Sequence, residues 1–193
     1  MFIQQARMQI KNINFSDSVF ISLFEDFCLS SKPLPQMDEG GLSRRLSCIN
    51  DYRNELSSIS EISLVAIDRE KKPIMYSFFR LSANKDFVFM DFILPNIRMT
   101  STSNIIKYQS AFCESFLHVY EKTGLDLVEA ELNRLFKKEK LIKTLKRFVP
   151  AFTLIKNKKG EVCSVKVEKN NVIKFYEKLQ IKNNRNKLDD ETP

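Results

Sequence analysis

Phe87-Val88-Phe89-Met90-Asp91-Phe92-Ile93-Leu94-Pro95 runs through Asn96-Ile97 into Arg98-Met99-Thr100-Ser101-Thr102-Ser103. The first nine residues are almost wholly apolar and rich in aromatic and branched side chains, the composition of a buried strand. The last six are one arginine, one methionine and four hydroxyl residues. Beyond them Ile105, Ile106, Tyr108, Phe112, Phe116, Val119 and Tyr120 recur at helical spacing. A strand, a turn of small residues and a helix N-terminus bring several backbone N–H groups to one point, where they can converge on an anion.

Working outward, Ile62–Ile67, Pro73–Leu81 and Phe87–Leu94 form three strands joined by short polar turns, an antiparallel meander. Upstream, residues 7–14 alternate as a short strand, with Met8 and Ile10 on one side. Ser16-Asp17-Ser18 then reads as a helix N-cap cluster. Val19, Phe20, Leu23, Phe24 and Phe27 carry that helix to about Leu29. A second helix spans Leu42 to about Leu56. Downstream, the long helix ends near Gly124 and Leu125–Leu132 reads as a strand. A helix from about Arg134 to Phe148 follows, and Pro150 stops it. Phe152–Ile155 and Val162–Val167 make a hairpin about a turn containing Gly160. The spacing of Val172–Leu179 gives a last helix. The order is β-α-α-β-β-β-α-β-α-β-β: one mixed α/β domain over residues 1–181, with a polar, irregular tail over 182–193.

That order, over about residues 7–168, resembles the core of the GNAT acetyltransferases. Ile93-Leu94-Pro95-Asn96-Ile97-Arg98 is similar to the V-x-P-x-x-R approach of that family. Arg98 then matches the Gln/Arg that opens its Gln/Arg-x-x-Gly-x-Gly/Ala loop, with Ser101 and Ser103 at the two small positions. Asn133, just after the fifth main strand, resembles the asparagine often found there. The resemblance implies a largely antiparallel sheet with helices on both faces, and acetyl-CoA or another acyl-CoA as cofactor. The main chain of Phe92, Ile93 and Leu94, together with Arg98, Met99, Thr100, Ser101, Thr102, Ser103, Asn104 and Asn133, would contact it. Two features depart from the family. Serine adds a Cβ where glycine allows close backbone approach. The tyrosine of the helix after the fifth strand has no match in Thr144–Phe148. Asn171–Leu179 also resembles the family's N-x-A-I-x-F-Y-E-K-L-G helix. Using it would make Val162–Val167 the fifth strand and leave no closing hairpin, whereas the first register accounts for every element.

Acetyl transfer to an amine needs a polarised carbonyl, a gripped carrier, a base for the amine proton and a proton for the departing thiolate. Asp91 is the candidate base, because a carboxylate in an apolar strand must face a cleft or be hydrogen-bonded. Its ordinary alternative is a place on the outward face or beside a bulge. Glu129 and Glu131 share one face of the fifth strand, where they either attract a cationic amine or form its solvated side. His118, the only histidine, lies off the apolar face of its helix, and Cys113 reads as core.

The 193 residues, 43% of them hydrophobic, suffice for one packed core with 16 Phe and no Trp. The net charge of +7 favours an anionic partner. Between Arg134 and Lys159 ten lysines and arginines face one acid, Glu139. This is a solvated helix face and hairpin tip, or a phosphate- or nucleic-acid-binding surface. Cys28, Cys48, Cys113 and Cys163 have no zinc-pair spacing. No signal-peptide pattern or membrane-length apolar run is present, and the expectation is a cytoplasmic setting with free thiols and no metal. Three functions follow: an acyl-CoA-dependent N-acyltransferase acting on an amine-bearing small molecule or protein, a degenerate binding or regulatory module of the same fold, and a nucleic-acid-binding protein.

Overall fold

A computed structural model describes residues 8–30, 42–96, 103–131 and 151–190. In chain order its elements are β1 (Gln9–Asn12), α1 (Ser18–Ser30), α2 (Leu42–Ile59), β2 (Ile62–Ile67), β3 (Pro73–Leu81), β4 (Val88–Pro95), α3 (Ser103–Thr123), β5 (Leu127–Glu131), β6 (Phe152–Lys156), β7 (Val162–Glu168) and α4 (Lys169–Asp190). The strands form one sheet in the order β1-β2-β3-β4-β5-β7-β6. Every pairing is antiparallel except that of β4 with β5. Parallel neighbours need a crossover, and α3 supplies it.

The local chemistry explains the element boundaries. Asp17 caps α1, its Oδ1 accepting the N–H of Val19 at 2.8 Å. In the turn between β2 and β3, Asp68 Oδ1 accepts the N–H groups of Glu70 and Lys72, both at 2.9 Å. Gly124 ends α3 at φ 71°, a left-handed conformation that costs glycine little, and its N–H reaches back to the Tyr120 carbonyl at 2.9 Å.

Period-2 alternation splits the sheet's side chains between two cores. On one face Leu64, Ile74, Phe79, Val88, Val128, Val165 and Val167 pack with Phe112, Phe116, Val119 and Tyr120 of α3 and Val172 and Leu179 of α4. Phe116 stacks on Phe112 at 4.0 Å and meets Phe79 edge-on at 5.4 Å. On the other face Phe20, Leu23 and Phe24 of α1 and Leu56 of α2 cover Val65, Tyr76, Phe78 and Leu94.

The fold resolves the choice of register. The strand beside β4 is β5, Leu127–Glu131, and Val162–Glu168 lies one place further out, between β5 and β6. The helix carrying Asn171–Leu179 therefore follows the final strand. It packs on α3, where the Tyr176 hydroxyl donates to Glu114. That helix is longer than the expected Val172–Leu179. It continues through Lys182–Asp190, a segment the composition assigns to an irregular tail, because no glycine or proline interrupts it before Pro193. The expected helix of Arg134–Phe148 falls outside the described residues. No described helix is long and apolar enough to cross a membrane.

Candidate functional site

The two central strands share only a short ladder. β4 pairs with β5 at Val88↔Val128 and Phe89↔Glu129, and no further pair joins them among the described residues, although Ala130 and Glu131 continue the strand. Beyond that point β4 stays on β3, with Phe92 opposite Phe78, Ile93 opposite Ser77 and Leu94 opposite Tyr76. β5 stays on β7, with Ala130 opposite Val165 and Glu131 opposite Ser164. Among the described residues the edge of β4 from Met90 onward thus has no strand partner on the β5 side. In an extended chain successive main-chain groups point to alternate edges, so part of the N–H and C=O set of Met90–Pro95 faces this gap.

A bulge marks the same place. Phe78 pairs with Phe92 and Phe79 with Met90, so Asp91 is the extra residue on β4. Its carboxyl group is 9% exposed and held at both oxygens. Arg80 Nε donates to Oδ1 at 2.7 Å and Ser60 Oγ to Oδ2 at 3.3 Å. Burial pushes the carboxyl above the ordinary aspartate range, and the bonds and charge of Arg80 oppose that rise. Asp91 thus sits at a bulge, and its carboxylate is hydrogen-bonded.

The register lines up a row across four strands: Arg80 on β3, Phe89 on β4, Glu129 on β5 and Lys166 on β7. This row lies on the sheet face opposite Val128 and Ala130, whose side chains enter the α3 core. The Arg80 guanidinium rests 4.8 Å from the centre of the Phe89 ring, and Phe87 packs edge-on against Phe89 at 4.7 Å. Glu129, 18% exposed, is ion-paired with Lys166 at 2.6 Å. The carboxylate of Glu129 is thus neutralised by a lysine of the neighbouring strand.

The far end of β4 is tied down. Asn96 N–H donates to the Ile74 carbonyl at 2.9 Å and its Nδ2 to the Pro73 carbonyl at 2.8 Å. The Tyr108 hydroxyl, from the second turn of α3, donates to the Asn96 carbonyl. The end of β4 and the start of α3 are therefore fixed together, with Ser103 the first residue of the helix and Asn104 the second. Arg98, Met99, Thr100, Ser101, Thr102 and Asn133 lie outside the described residues. Of the basic stretch, Lys156, Lys158 and Lys159 are exposed at the hairpin tip, and Arg134–Arg147 likewise falls outside.

Sequence reading missed Arg80, Ser60, Phe89 and Lys166. Arg80 carried a usable signal, being the one charged residue in the apolar run Pro73–Leu81. The other three gain meaning only from register. His118 lines a shallow depression of about 640 Å³ with Lys11, Glu121 and Lys122, between β1 and α3. Cys113 is buried, and burial pushes its thiol up to about 12. Neither adjoins the gap.

No protein-family model matches the chain, and no curated protein matches it. Solved structures do. The PaiA N-acetyltransferase of Thermoplasma acidophilum, solved with coenzyme A, aligns at a TM-score of 0.50 and 10% identity over 83% of this chain and 98% of its own. Apo FdhC, a nucleotide-linked sugar GNAT, aligns at 0.52 and 16% over 93% and 94%. The aminoglycoside acetyltransferase AAC(6')-Ib, solved with coenzyme A and kanamycin, aligns at 0.52 and 11% over 86% and 98%. At such identities the likeness is one of architecture alone. This chain is built on the GNAT acetyltransferase fold.

Proposed function

We propose that the protein is an acyl-CoA-dependent N-acyltransferase that delivers an acetyl group to an amine. The observation that carries the reading is the β4–β5 ladder, which stops at Phe89 and Glu129. Among the described residues it leaves main-chain groups of β4 without a strand partner, next to a helix N-terminus that Asn96 and Tyr108 anchor. Unpartnered main-chain N–H groups suit a carbonyl that gains negative charge on attack, and a helix N-terminus suits phosphate. The fold neighbours solved with coenzyme A add support by analogy.

In this reading acetyl-CoA supplies the activated acetyl group. The main chain of Phe92 to Leu94 orients the acetyl carbonyl. Arg98 and the N–H groups of Met99 to Asn104 grip the pyrophosphate, with Asn133 alongside. Asp91 takes the proton that the amine gives up as its nitrogen attacks, directly or through one water; the thioester C–S bond breaks in exchange for the new C–N bond, and coenzyme A would leave as a thiol once its sulfur receives that proton. Glu131 attracts the cationic amine, while Lys166 holds the Glu129 carboxylate in an ion pair on the sheet face. The acceptor belongs to the amine-bearing small molecules or proteins.

Thermal unfolding with millimolar acetyl-CoA tests the reading. A ligand at a hundred times its Kd stabilises by about 2.7 kcal/mol, so the wild-type protein should melt several degrees higher and Arg98→Ala should lose the rise. No rise in the wild type would count against the reading. A second reading, a binding module without turnover, is favoured by Ser101 and Ser103 standing where glycines would let the backbone approach phosphate. A thermal rise with no acetylation of any amine tried would select it.

A further inference from the structure

We infer that Arg80 is a positioning residue of this site: through its side-on bond to Asp91 and its seat on the Phe89 ring, it keeps that carboxylate ionised and in one orientation beside the gap. The inference rests on the acyl-transfer reading for its purpose and on geometry for its substance. Asp91 is the extra residue of a bulge, and a bulged side chain is aimed by what holds it. Two donors hold it here, one on each oxygen, at 2.7 Å from Arg80 and 3.3 Å from Ser60. A carboxylate only 9% exposed is costly to ionise without a partner, and Arg80 is the cationic one.

The arginine is itself constrained. Its guanidinium is half-exposed, at 47%, so solvent alone would leave it free to swing. The ring of Phe89, its Cα partner across the ladder, lies beneath it at 4.8 Å, and Phe87 braces that ring from the side. A guanidinium on an aromatic face keeps its plane, and so its Nε–H stays aimed at Asp91. A lysine would bring charge without that plane. Among the described residues the other charged group facing Asp91 is Glu61, from the segment after α2, and it pushes the carboxyl up rather than down. Glu61 is engaged elsewhere, accepting the N–H of Leu81 at 2.7 Å. Arg80 therefore opposes both burial and Glu61. Its exposure also leaves it room to yield to an arriving ammonium group, which would meet an ionised Asp91 already in place.

The test is a titration of the Asp91 carboxyl by carbon-13 NMR in the wild type, Arg80→Gln and Arg80→Lys. It is paired with the pH profile of acetyl transfer from acetyl-CoA to butylamine. Loss of an opposite charge at this distance raises a carboxyl pKa by about one unit or more. Arg80→Gln should therefore move the Asp91 midpoint up by at least that much, and the acid limb of kcat/KM should move up with it. Arg80→Lys should restore less than half of the shift. Ser60→Ala should move the midpoint in the same direction by less. An Asp91 midpoint unchanged in Arg80→Gln overturns the inference, as does a midpoint that moves while the acid limb stays fixed. If the wild type turns over no butylamine and shows no thermal response to acetyl-CoA, the acyl-transfer reading fails. The carboxyl titration then still decides whether Arg80 controls Asp91.

Discussion

Asp91 and Tyr76 are both polar groups that the fold has drawn out of water, and they are treated differently. Asp91 receives two donors and sits at the edge of the gap. Tyr76 is fully buried between Phe20, Phe78 and the sheet, and its hydroxyl has no hydrogen-bond partner among the described residues. Burial, with the nearby Asp17 charge, pushes that phenol well above its usual range, so it stays neutral at every physiological pH. An unpartnered buried hydroxyl costs about 1–3 kcal/mol relative to leaving it in water. Tyr76→Phe should therefore leave the melting temperature unchanged or raise it, as calorimetry can check. A fall of several degrees would mean that the hydroxyl has a partner. At this scale the sequence made Asp91 visible, because a lone acid in Phe87–Pro95 demands an explanation. It hid the arginine that answers it, since eleven positions separate Arg80 from Asp91 and only the strand register brings them together.

Among the elements, α3 links the fold to the site, because it is the crossover that makes β4 and β5 parallel. Its ends are specified separately. At the start Tyr108 ties it to Asn96. At the end Gly124 adopts φ 71° with open space around the position a Cβ would occupy, so the strain of a substitution is conformational and not steric. Gly124→Ala should cost about 1 kcal/mol, read as a lower denaturant midpoint at unchanged slope. No change would mean that the turn relaxes to a right-handed conformation. Element by element, the meander and the long helix were legible to within a few residues, since alternation and helical spacing are strong over eight or more positions. The extent of α4 was not. Lys182–Asp190 has no apolar stripe to signal helix, and the segment propagates a helix that Val172 and Leu179 anchor in the core.

For the whole molecule, the sheet separates two cores that touch only through it. Phe20 belongs to the α1 face and Phe116 to the α3 face, and both are fully buried. Truncating either to alanine should cost about 3–5 kcal/mol, from lost burial plus the cavity left behind. Residues on opposite sides of a sheet share few direct partners, so the double variant Phe20→Ala, Phe116→Ala should lose the sum of the two to within about 0.5 kcal/mol. Chemical denaturation of the four proteins checks this. A coupling of more than about 1 kcal/mol would mean that the sheet transmits packing between its faces. The sequence by itself determined the identity and order of the described elements and the acid in β4, because each is written in the spacing of neighbouring residues. The tertiary structure alone decided that Leu127–Glu131 stands next to β4, that the ladder between them ends at Phe89 and Glu129, and that Arg80, Phe89 and Asp91 form one group. Those facts depend on which distant segments pair and in what register, and pairing is settled by the fit of whole faces against α3 and α1, which no local pattern encodes.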